Sequence, residues 1–266
     1  MKRLGFLFII LLAVFAVWYI YFFKPSDEFA EHDLLNEIMQ RGYIKVGINT
    51  DSKPFGYYDE KGNITGYDAE LAGHIAQYLV KDASKVRFVQ VTPSNRLIKA
   101  STGEVDMVIS TVTITPQRLE VVNFSRSYLS AGQALLIRSS SNIQGIQDLA
   151  GLTVGVVLGT TAEKNIQRLV PTAYIHGFKT YNEAYLALKS GKIAALTSDD
   201  TILNGYALRD KDVKLLYRRY SNEPYGIAFK KGNSTNKLKL ELDYAIKDLQ
   251  RRGTLLAMYK KWGLGG

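Results

Sequence analysis

Hydrophobic residues in this chain form short apolar runs separated by segments with helical spacing. Residues 44–48 and 86–91 are short, mainly apolar runs, and residues 69–79 between them carry apolar positions at helical spacing. The pattern continues with a helix near residues 96–101 and a strand at residues 107–109. Strands that alternate with helices predict a mostly parallel sheet with helices on its faces.

A second alternating series follows in the middle of the chain. It predicts strands at residues 133–137, 153–157 and 194–198 and helices at residues 162–169 and 182–189. Near the end, residues 226–229 form another apolar run. Residues 237–252 then have helical periodicity, which Gly253 terminates.

The two series predict an α/β protein with two lobes, each a mostly parallel sheet flanked by helices, joined by two hinge crossings. The chain crosses to the second lobe near residues 128–134 and returns near residues 221–225. The first lobe is therefore discontinuous. Its predicted parts are residues 43–130 and 224–266, and the second lobe is residues 131–223.

A tight hairpin is predicted at residues 62–68, ahead of the first long helix. Asp68 lies near the start of that helix, where a carboxylate can accept hydrogen bonds from free amides. We interpret Asp68 as a structural helix cap.

The chain begins with Met1-Lys2-Arg3, followed by an uncharged stretch over residues 4–23. A stretch of about 20 residues is near the span of a bilayer core and longer than an ordinary signal core of about 7–15 residues. We expect residues 1–24 to form a signal anchor or uncleaved signal peptide and residues 25–42 to form a connector. The basic N-terminus stays cytoplasmic, which places the rest on the periplasmic or extracellular side of the membrane. Cleavage of the signal would make the protein secreted.

Composition and charge exclude several classes of partner. The 266 residues are 46% hydrophobic and 22% charged, so the chain is expected to fold. The formal net charge is +9, but the basic residues are scattered and no nucleic-acid-binding motif accompanies them. We expect no nucleic-acid partner. The chain has no cysteine, which excludes disulfides and a lipid-modified N-terminal cysteine.

The sequence contains no recognisable motif for metal binding or catalysis. The three histidines are isolated, and none has metal-ligand spacing with another histidine or carboxylate. The usual nucleophile motif G-x-S-x-G is missing, and the single glycine at position 159 makes no phosphate loop. We expect no metal, no cofactor and no catalytic residues.

Several residues with side-chain hydroxyls precede Arg118 in the sequence. Residues 110–118 read Ser-Thr-Val-Thr-Ile-Thr-Pro-Gln-Arg, which places four hydroxyls beside one guanidinium. This combination suits the α-carboxylate of a free amino acid, because the planar guanidinium can bind both oxygens. Thr115 and Pro116 predict a helix start, which leaves Arg118 in the first turn. A cation there opposes the helix dipole unless an anion lies against it, so we predict that Arg118 binds a carboxylate.

Three further loops follow predicted strands, where open α/β sheets bind ligands. In the first, Asp51 is a candidate for setting the ligand's position, and Phe55 either walls the pocket or belongs to the core. In the second, Thr160 and Thr161 precede a helix whose free amides can hold an anion, although an ordinary strand-to-helix turn has the same pattern. In the third, one carboxylate of the pair Asp199-Asp200 suits an ammonium group, and the other caps the next helix.

Several short segments of the chain are found together in one known family. They are Val46-Gly47, Pro54-Phe55-Gly56, Gly66-Tyr67-Asp68, Gly103-Glu104-Val105-Asp106, residues 113–118, Asn123-Phe124-Ser125, Tyr225-Gly226-Ile227-Ala228 and Tyr259-Lys260-Lys261-Trp262. From about Gly42 to Trp262 the chain resembles the extracellular solute-binding proteins of polar amino acid ABC transporters, which have the type II periplasmic binding fold.

The resemblance implies how the two lobes share the ligand's α-carboxylate. Thr113 and Arg118 would hold it from the first lobe. Thr160 and Thr161 would complete the carboxylate site from the second lobe.

The resemblance also implies contacts to the amino group and to the ligand side chain. The backbone carbonyl of Thr111 would contact the α-amino group, and Asp199 would take its positive charge. The segment Ser94-Asn95-Arg96-Leu97 is similar to the subgroup that binds glutamate or aspartate, where the arginine faces the side-chain carboxylate. Arg96 is therefore the predicted specificity residue, although the same pattern also occurs in relatives that bind glutamine.

The function implied is that of the substrate-binding component of an ABC transporter that imports a polar amino acid by hinge closure. Glutamate or aspartate is the expected ligand, and glutamine or asparagine is the alternative. The partners would be the free amino acid, the permease subunits and, through the N-terminal helix, the membrane, with the chain a monomer. A cyclohexadienyl dehydratase-like enzyme and a ligand-sensing domain share this fold and are the rival interpretations. The hydroxyl-rich pocket and Arg96 suit a linear diacid better than a ring.

Overall fold

The computed structural model describes Phe15 and residues 33–264. Leu34–Gly266 is one compact unit, distinct from Met1–Asp33. Within the described residues, no helix has the length and apolar character needed to cross a membrane. Apart from Phe15, the predicted signal anchor lies outside the described residues, as does the first part of the connector, and both stay predictions.

Helices and strands alternate along most of the described chain. The helices are α1 Leu34–Arg41, α2 Tyr67–Val80, α3 Arg96–Thr102, α4 Pro116–Leu119, α5 Thr161–Leu169, α6 Tyr181–Lys189, α7 Asp200–Ala207, α8 Asn236–Arg251 and α9 Thr254–Lys261. The strands are β1 Ile44–Ile48, β2 Asp51–Ser52, β3 Gly56–Tyr58, β4 Ile64–Thr65, β5 Val86–Gln90, β6 Met107–Val108, β7 Val122–Phe124, β8 Leu129–Ala131, β9 Gln133–Arg138, β10 Thr153–Val157, β11 Tyr174–Phe178, β12 Ala195–Asp199, β13 Val213–Leu216, β14 Glu223–Tyr225 and β15 Ala228–Lys230.

Two five-stranded sheets of the same design form the two lobes. The first has the order β5-β1-β6-β15-β7, and the second has the order β11-β10-β12-β9-β13. In each sheet the first three strands are parallel, the fourth is antiparallel to its neighbours, and the fifth returns to the common direction. Four of the five strands therefore point the same way, which confirms the predicted two-lobed α/β fold with mostly parallel sheets.

The chain passes between the sheets twice. Strand β8 leaves the first lobe and β14 returns to it, and the two pair antiparallel, with Leu129 opposite Tyr225 and Ala131 opposite Glu223. Because β15 follows this return and joins the first sheet, that lobe is built from two separate parts of the chain. The residue boundaries of the lobes given above stay predictions.

Apolar faces of the helices cover the sheets. Leu71 and Ile75 of α2 are fully buried in the same hydrophobic cluster as Val46 of β1. In the second lobe, Ile166 of α5 packs in a cluster with Val156 of β10. These helices carry apolar residues at helical spacing and the strands carry apolar runs, so each buries its hydrophobic side in a shared core.

The long helices and several strands lie where the sequence predicts them, and some of the shorter elements are missing from the prediction. Strands β1 and β10 have the predicted bounds. A hairpin is present as β3 and β4, which join β2 in a small three-stranded sheet. Its turn spans residues 59–63, which is earlier in the chain than the predicted residues 62–68. Strands β7, β11 and β13 and helix α9 have no counterpart among the predicted elements. Each spans eight residues or fewer, a length over which a period is difficult to recognise.

Candidate functional site

Loops from both lobes meet at the carboxyl ends of the strands. Strands β1 and β6 of the first lobe end just before residues 49–51 and 110–113, and β10 and β12 of the second end just before residues 158–161 and 200–201. Such ends are where open α/β sheets bind ligands. Most of the predicted ligand residues lie on or next to these loops. Phe55 and Arg118 follow the loops slightly later in the chain, and Arg96 precedes β6.

Arg118 reaches from the first lobe to the second. Thr115 caps α4 by accepting the Arg118 N–H at 3.2 Å, as the sequence predicts, and fixes the arginine in the first helical turn. One guanidinium nitrogen donates to the Thr113 carbonyl at 2.9 Å, and the other donates to the carbonyl of Gly159 at 3.1 Å. The side chain is only 9% exposed. Burial and repulsion from Arg96 lower the pKa of Arg118 to about 10. A nearby anion would stabilise the charged form of the guanidinium.

Gly159 allows the two lobes to meet at this point. Its φ of +83° lies in the left-handed region, and a side chain there would place a Cβ 2.6 Å from the carbonyl oxygen of Pro93. The contact joins the loop after β10 to the segment that precedes α3. A glycine is therefore required for the loops to approach this closely.

The hydroxyls of Thr160 and Thr161 are engaged by the protein. Thr160 donates to the carbonyl of Val157 at 2.7 Å, and Thr161 donates to the carboxylate of Glu223 at 2.8 Å. Neither hydroxyl proton is directed at a ligand carboxylate in this arrangement. The groups left to bind an anion are the first-turn amides of α5, which have no partner within their own helix.

Asp199 is a buried carboxylate at the end of β12. The hydroxyl of Tyr225 donates to it at 2.5 Å. Burial, with repulsion from Glu223, raises the pKa of Asp199 to about 7. An ammonium group placed against it would supply the counter-charge that favours the ionised form. The prediction that Asp200 caps the next helix is wrong, because Asp200 is the first residue of α7 and no side-chain hydrogen bond caps that helix. Its carboxylate instead accepts the N–H of Gly132 at 3.0 Å and a guanidinium N–H of Arg219 at 2.6 Å.

Asp51 connects the lobes. Its carboxylate accepts the N–H of Tyr181 at 2.6 Å and that of Asn182 at 3.3 Å. These amides belong to the first turn of α6 in the second lobe, so a residue of the first lobe caps a helix of the second. The structure shows this contact in place of a free carboxylate, and a direct role toward the ligand stays a prediction.

Phe55 is fully buried in the core. Its ring packs edge-on against Tyr67 at 5.9 Å and against Tyr225 at 5.8 Å. Of the two interpretations that the sequence allows, this placement favours the core residue. Phe55 supports Tyr225, which in turn holds Asp199.

Arg96 and Thr111 lie together at the base of the first lobe's loops. Arg96 is 2% exposed and donates from one nitrogen to the carbonyls of Ser110 at 2.5 Å and Thr111 at 3.3 Å. Its Nε is buried and has no hydrogen-bond partner in the described part of the chain. Thr111 has a φ of +48°, a left-handed conformation that costs a β-branched residue about 1–3 kcal/mol.

The sequence predicts the wrong role for Asp68. Helix α2 begins at Tyr67 with Gly66 as its cap, and no side-chain hydrogen bond caps it. The carboxylate of Asp68 instead accepts the N–H of Thr111 at 3.0 Å and the hydroxyl of Tyr128 at 3.0 Å. The interpretation of Asp68 as a helix cap is therefore wrong, because the strained backbone of Thr111 competes for the carboxylate. Only its partner 43 positions away reveals this role.

Glu223 and Tyr225 also escape prediction from the sequence. Glu223 accepts from Thr161 and from the amide of Asn165, and it lies on the returning strand β14. Both residues lie on the crossing strand β14, which is too short to show a recognisable hydrophobic period. Among the described residues, no group of three or more histidine, cysteine, aspartate or glutamate side chains is arranged to hold a metal ion.

The site combines positive and negative groups that suit a small zwitterion. Arg118 and the first-turn amides of α5 can bind a carboxylate, and Asp199 can bind an ammonium. Arg118 and Asp199 are both buried and come from different lobes, so a ligand placed between them would contact both lobes at once.

Comparisons with known proteins identify the family of this chain. Residues 44–265 match the sequence profile of the bacterial extracellular solute-binding proteins, family 3. The ABC transporter glutamine-binding protein GlnH of Bacillus subtilis is 37% identical over 235 residues, which cover 88% of this chain and 85% of that protein.

Two solved structures have the same fold over most of their length. A cysteine-binding protein from Campylobacter jejuni superposes with a TM-score of 0.83 at 31% identity, covering 88% of this chain and 95% of that one. The ancestral amino acid-binding protein AncCDT-1, a precursor of cyclohexadienyl dehydratase, gives a TM-score of 0.79 at 34% identity, covering 86% and 98%. The chain therefore belongs to the bacterial extracellular solute-binding proteins, family 3.

Proposed function

We propose that this chain is the amino-acid-binding component of an ABC importer and that its ligand is a neutral polar amino acid, with glutamine the first candidate. The observation that carries the proposal is that the loops of the two lobes bring together a buried cation, Arg118, and a buried carboxylate, Asp199, which interact electrostatically. This pair matches the two charges that every free amino acid carries on its α-carbon. Buried charges are stable only when paired, so the ligand's two charges complete the site.

The proposed ligand is neutral, whereas the sequence alone predicts an acidic one. The sequence pattern around Arg96 favours glutamate or aspartate, but the structure supplies Arg96 with negative neighbours of its own. The carboxylates of Asp68 and Asp199 both interact electrostatically with it. A cation that is already compensated gains little from a further carboxylate, and an anionic side chain would bury an extra negative charge. The similarity to a glutamine-binding relative supports the same ligand class.

In the proposed complex, the α-carboxylate lies against Arg118 and the first-turn amides of α5, with Thr113 contributing from the first lobe. The α-ammonium lies against Asp199 and the carbonyl of Thr111. The side-chain amide then points toward Arg96, whose unpaired Nε can donate to a neutral oxygen. Thr160 and Thr161 contribute through their backbone, because their hydroxyls are already engaged.

Asp51 and Phe55 act indirectly in this proposal. Asp51 stabilises the closed arrangement by capping α6 across the cleft. Phe55 holds Tyr225 in position against Asp199. A ligand that contacts both lobes binds the closed state better than the open one, and this difference drives closure.

The remaining features of the proposal follow from the family. A closed protein would deliver the amino acid to permease subunits at the outer face of the cytoplasmic membrane. The N-terminal segment would hold it there as a monomer, or release it if cleaved. A dehydratase activity is the second candidate, because one structural neighbour is a precursor of such an enzyme.

Calorimetry on protein that has been unfolded, dialysed and refolded to remove bound ligand tests the proposal. Glutamine is expected to bind more tightly than glutamate. Tight binding of glutamate alone would overturn the neutral ligand while keeping the binding function. Turnover of prephenate or arogenate without amino acid binding would replace it with the enzyme.

A further inference from the structure

A glycine lies inside helix α7, where the local sequence is typical of a turn. The dipeptide Asn204-Gly205 marks turns in many proteins, yet both residues belong to the helix Asp200–Ala207. Glycine is less favourable than alanine in a helix, because it loses more backbone entropy on folding. Its presence in α7 therefore needs a reason in the packing.

The first lobe approaches α7 at Gly205. A Cβ at this position would lie 2.4 Å from the carbonyl oxygen of Lys53 and 2.9 Å from Cδ of Pro54. Lys53 and Pro54 connect β2 to β3 in the small sheet of the first lobe, whereas α7 packs against β9, β12 and β13 of the second lobe. Because the nearest atom belongs to the backbone, it cannot turn aside as a flexible side chain would. The contact between the lobes therefore requires a residue without a side chain.

Helix α7 is directly connected to the proposed ammonium site. Asp199 is the residue immediately before the helix, so the position of α7 fixes the position of this carboxylate. Asn204 lies beside Gly205 and donates from its side-chain amide to the carbonyl of Gly263 at 3.4 Å. Two separate segments of the first lobe thus contact the helix that carries Asp199 at its start.

We propose that Gly205 is a positioning residue for amino acid binding: it allows residues 51–54 of the first lobe to pack on α7 when the lobes close, which holds Asp199 against the ligand's ammonium. This inference rests on the proposed function. Gly205 acts through α7 and does not touch the ligand. The same segment contacts a second helix of the second lobe, because Asp51 caps α6.

A methyl group at this position has opposite effects on the helix and on the contact. In Gly205→Ala the methyl favours the helix, so the unliganded protein should keep its Tm or gain about 1–4 °C. The same methyl blocks the approach of the Lys53 carbonyl, so the affinity for glutamine should fall by about tenfold or more. Ligand release, measured by stopped-flow, should become faster, because the closed state is the one that is destabilised.

Gly73→Ala is the matched control. Gly73 also lies inside a helix, α2, but among the described residues the atom nearest to a Cβ there would be the carbonyl oxygen of Ala83, at the ordinary contact distance of 3.5 Å. This variant should gain a similar helix stabilisation and bind glutamine as the wild type does. Scanning calorimetry without ligand gives the Tm of each protein, and titration calorimetry gives the dissociation constants.

The outcomes separate this inference from the proposed function. If the wild type binds glutamine and Gly205→Ala binds it equally well, the contact does not contribute to binding and this inference alone is overturned. A Gly205→Ala variant with a lower Tm as well as weaker binding would mean that the contact belongs to the fold in every state, which also overturns the role in closure. A wild type that binds no amino acid overturns the proposed function and this inference with it.

Discussion

The guanidinium of Arg118 donates to the carbonyl of Gly159 at 3.1 Å, and this bond joins the two lobes beside the proposed carboxylate site. The same guanidinium donates to Thr113 within its own lobe. Arg118 is thus held between the two lobes. In the proposed function, closure and ligand recognition depend on this same side chain.

Replacing Arg118 by alanine should weaken glutamine binding by about 2–5 kcal/mol, because the buried α-carboxylate loses its charged partner. Calorimetry on the two proteins measures the change. Arg126→Ala is a matched control, since Arg126 is exposed and its hydrogen bond to Asp243 comes from its backbone N–H. Equal affinities for wild type and Arg118→Ala would remove Arg118 from the site.

Gly159→Ala should lower the affinity by about 1–3 kcal/mol or more, since the new Cβ meets the Pro93 carbonyl only when the lobes are closed and the positive φ is strained. The loss should appear mainly as faster ligand release, measured by stopped-flow. Gly151→Ala controls for backbone strain, because Gly151 has a φ of +71° and no atom lies within 4 Å of the position that a Cβ would take there. Similar effects of both variants would mean that the loop contact does not limit closure.

Asp51→Ala should shift the protein toward an open arrangement by about 0.5–2 kcal/mol, the usual contribution of a helix cap. Small-angle X-ray scattering without ligand should then give a larger radius of gyration than for the wild type. Asp59→Ala serves as the comparison, because the Asp59 carboxylate accepts N–H groups of Lys61 and Asn63 within one hairpin of the first lobe. If neither variant differs from wild type, the cap does not contribute to closure.

Binding of glutamine should release a proton near pH 6. Burial and Glu223 raise the pKa of Asp199 to about 7, so the carboxylate of the empty site is mostly protonated at that pH. The ligand's ammonium favours the ionised form, and binding therefore lowers this pKa and expels up to about one proton. Calorimetry in buffers of different ionisation enthalpy counts the protons. The release should disappear near about pH 8.5, where Asp199 is already ionised, and a binding enthalpy independent of buffer near pH 6 would contradict the assignment.

The parts of the site that sequence reasoning finds are those with a local signal. Arg118 follows a Thr-Pro helix start, and its position in the first turn can be inferred from its immediate neighbours. The long helices and apolar strands are likewise recognisable, because their periodicity is repeated over several residues.

The parts that it misses depend on partners far away in the chain. Asp68 looks like a helix cap until Thr111, 43 positions later, is placed beside it. From the sequence, the hydroxyl of Thr161 is free to bind a ligand, but in the fold it donates to Glu223 on the crossing strand. The proposed preference for a neutral ligand has the same origin, since Arg96 looks like a free cation until the fold supplies its counter-charge.

A crystal structure of the glutamine complex tests the central claim most directly. We expect the α-carboxylate within hydrogen-bonding distance of Arg118 and the α-ammonium within the same distance of Asp199, with both lobes in contact with the ligand. Glutamine bound away from these two residues, or held by one lobe alone, would contradict the proposed site.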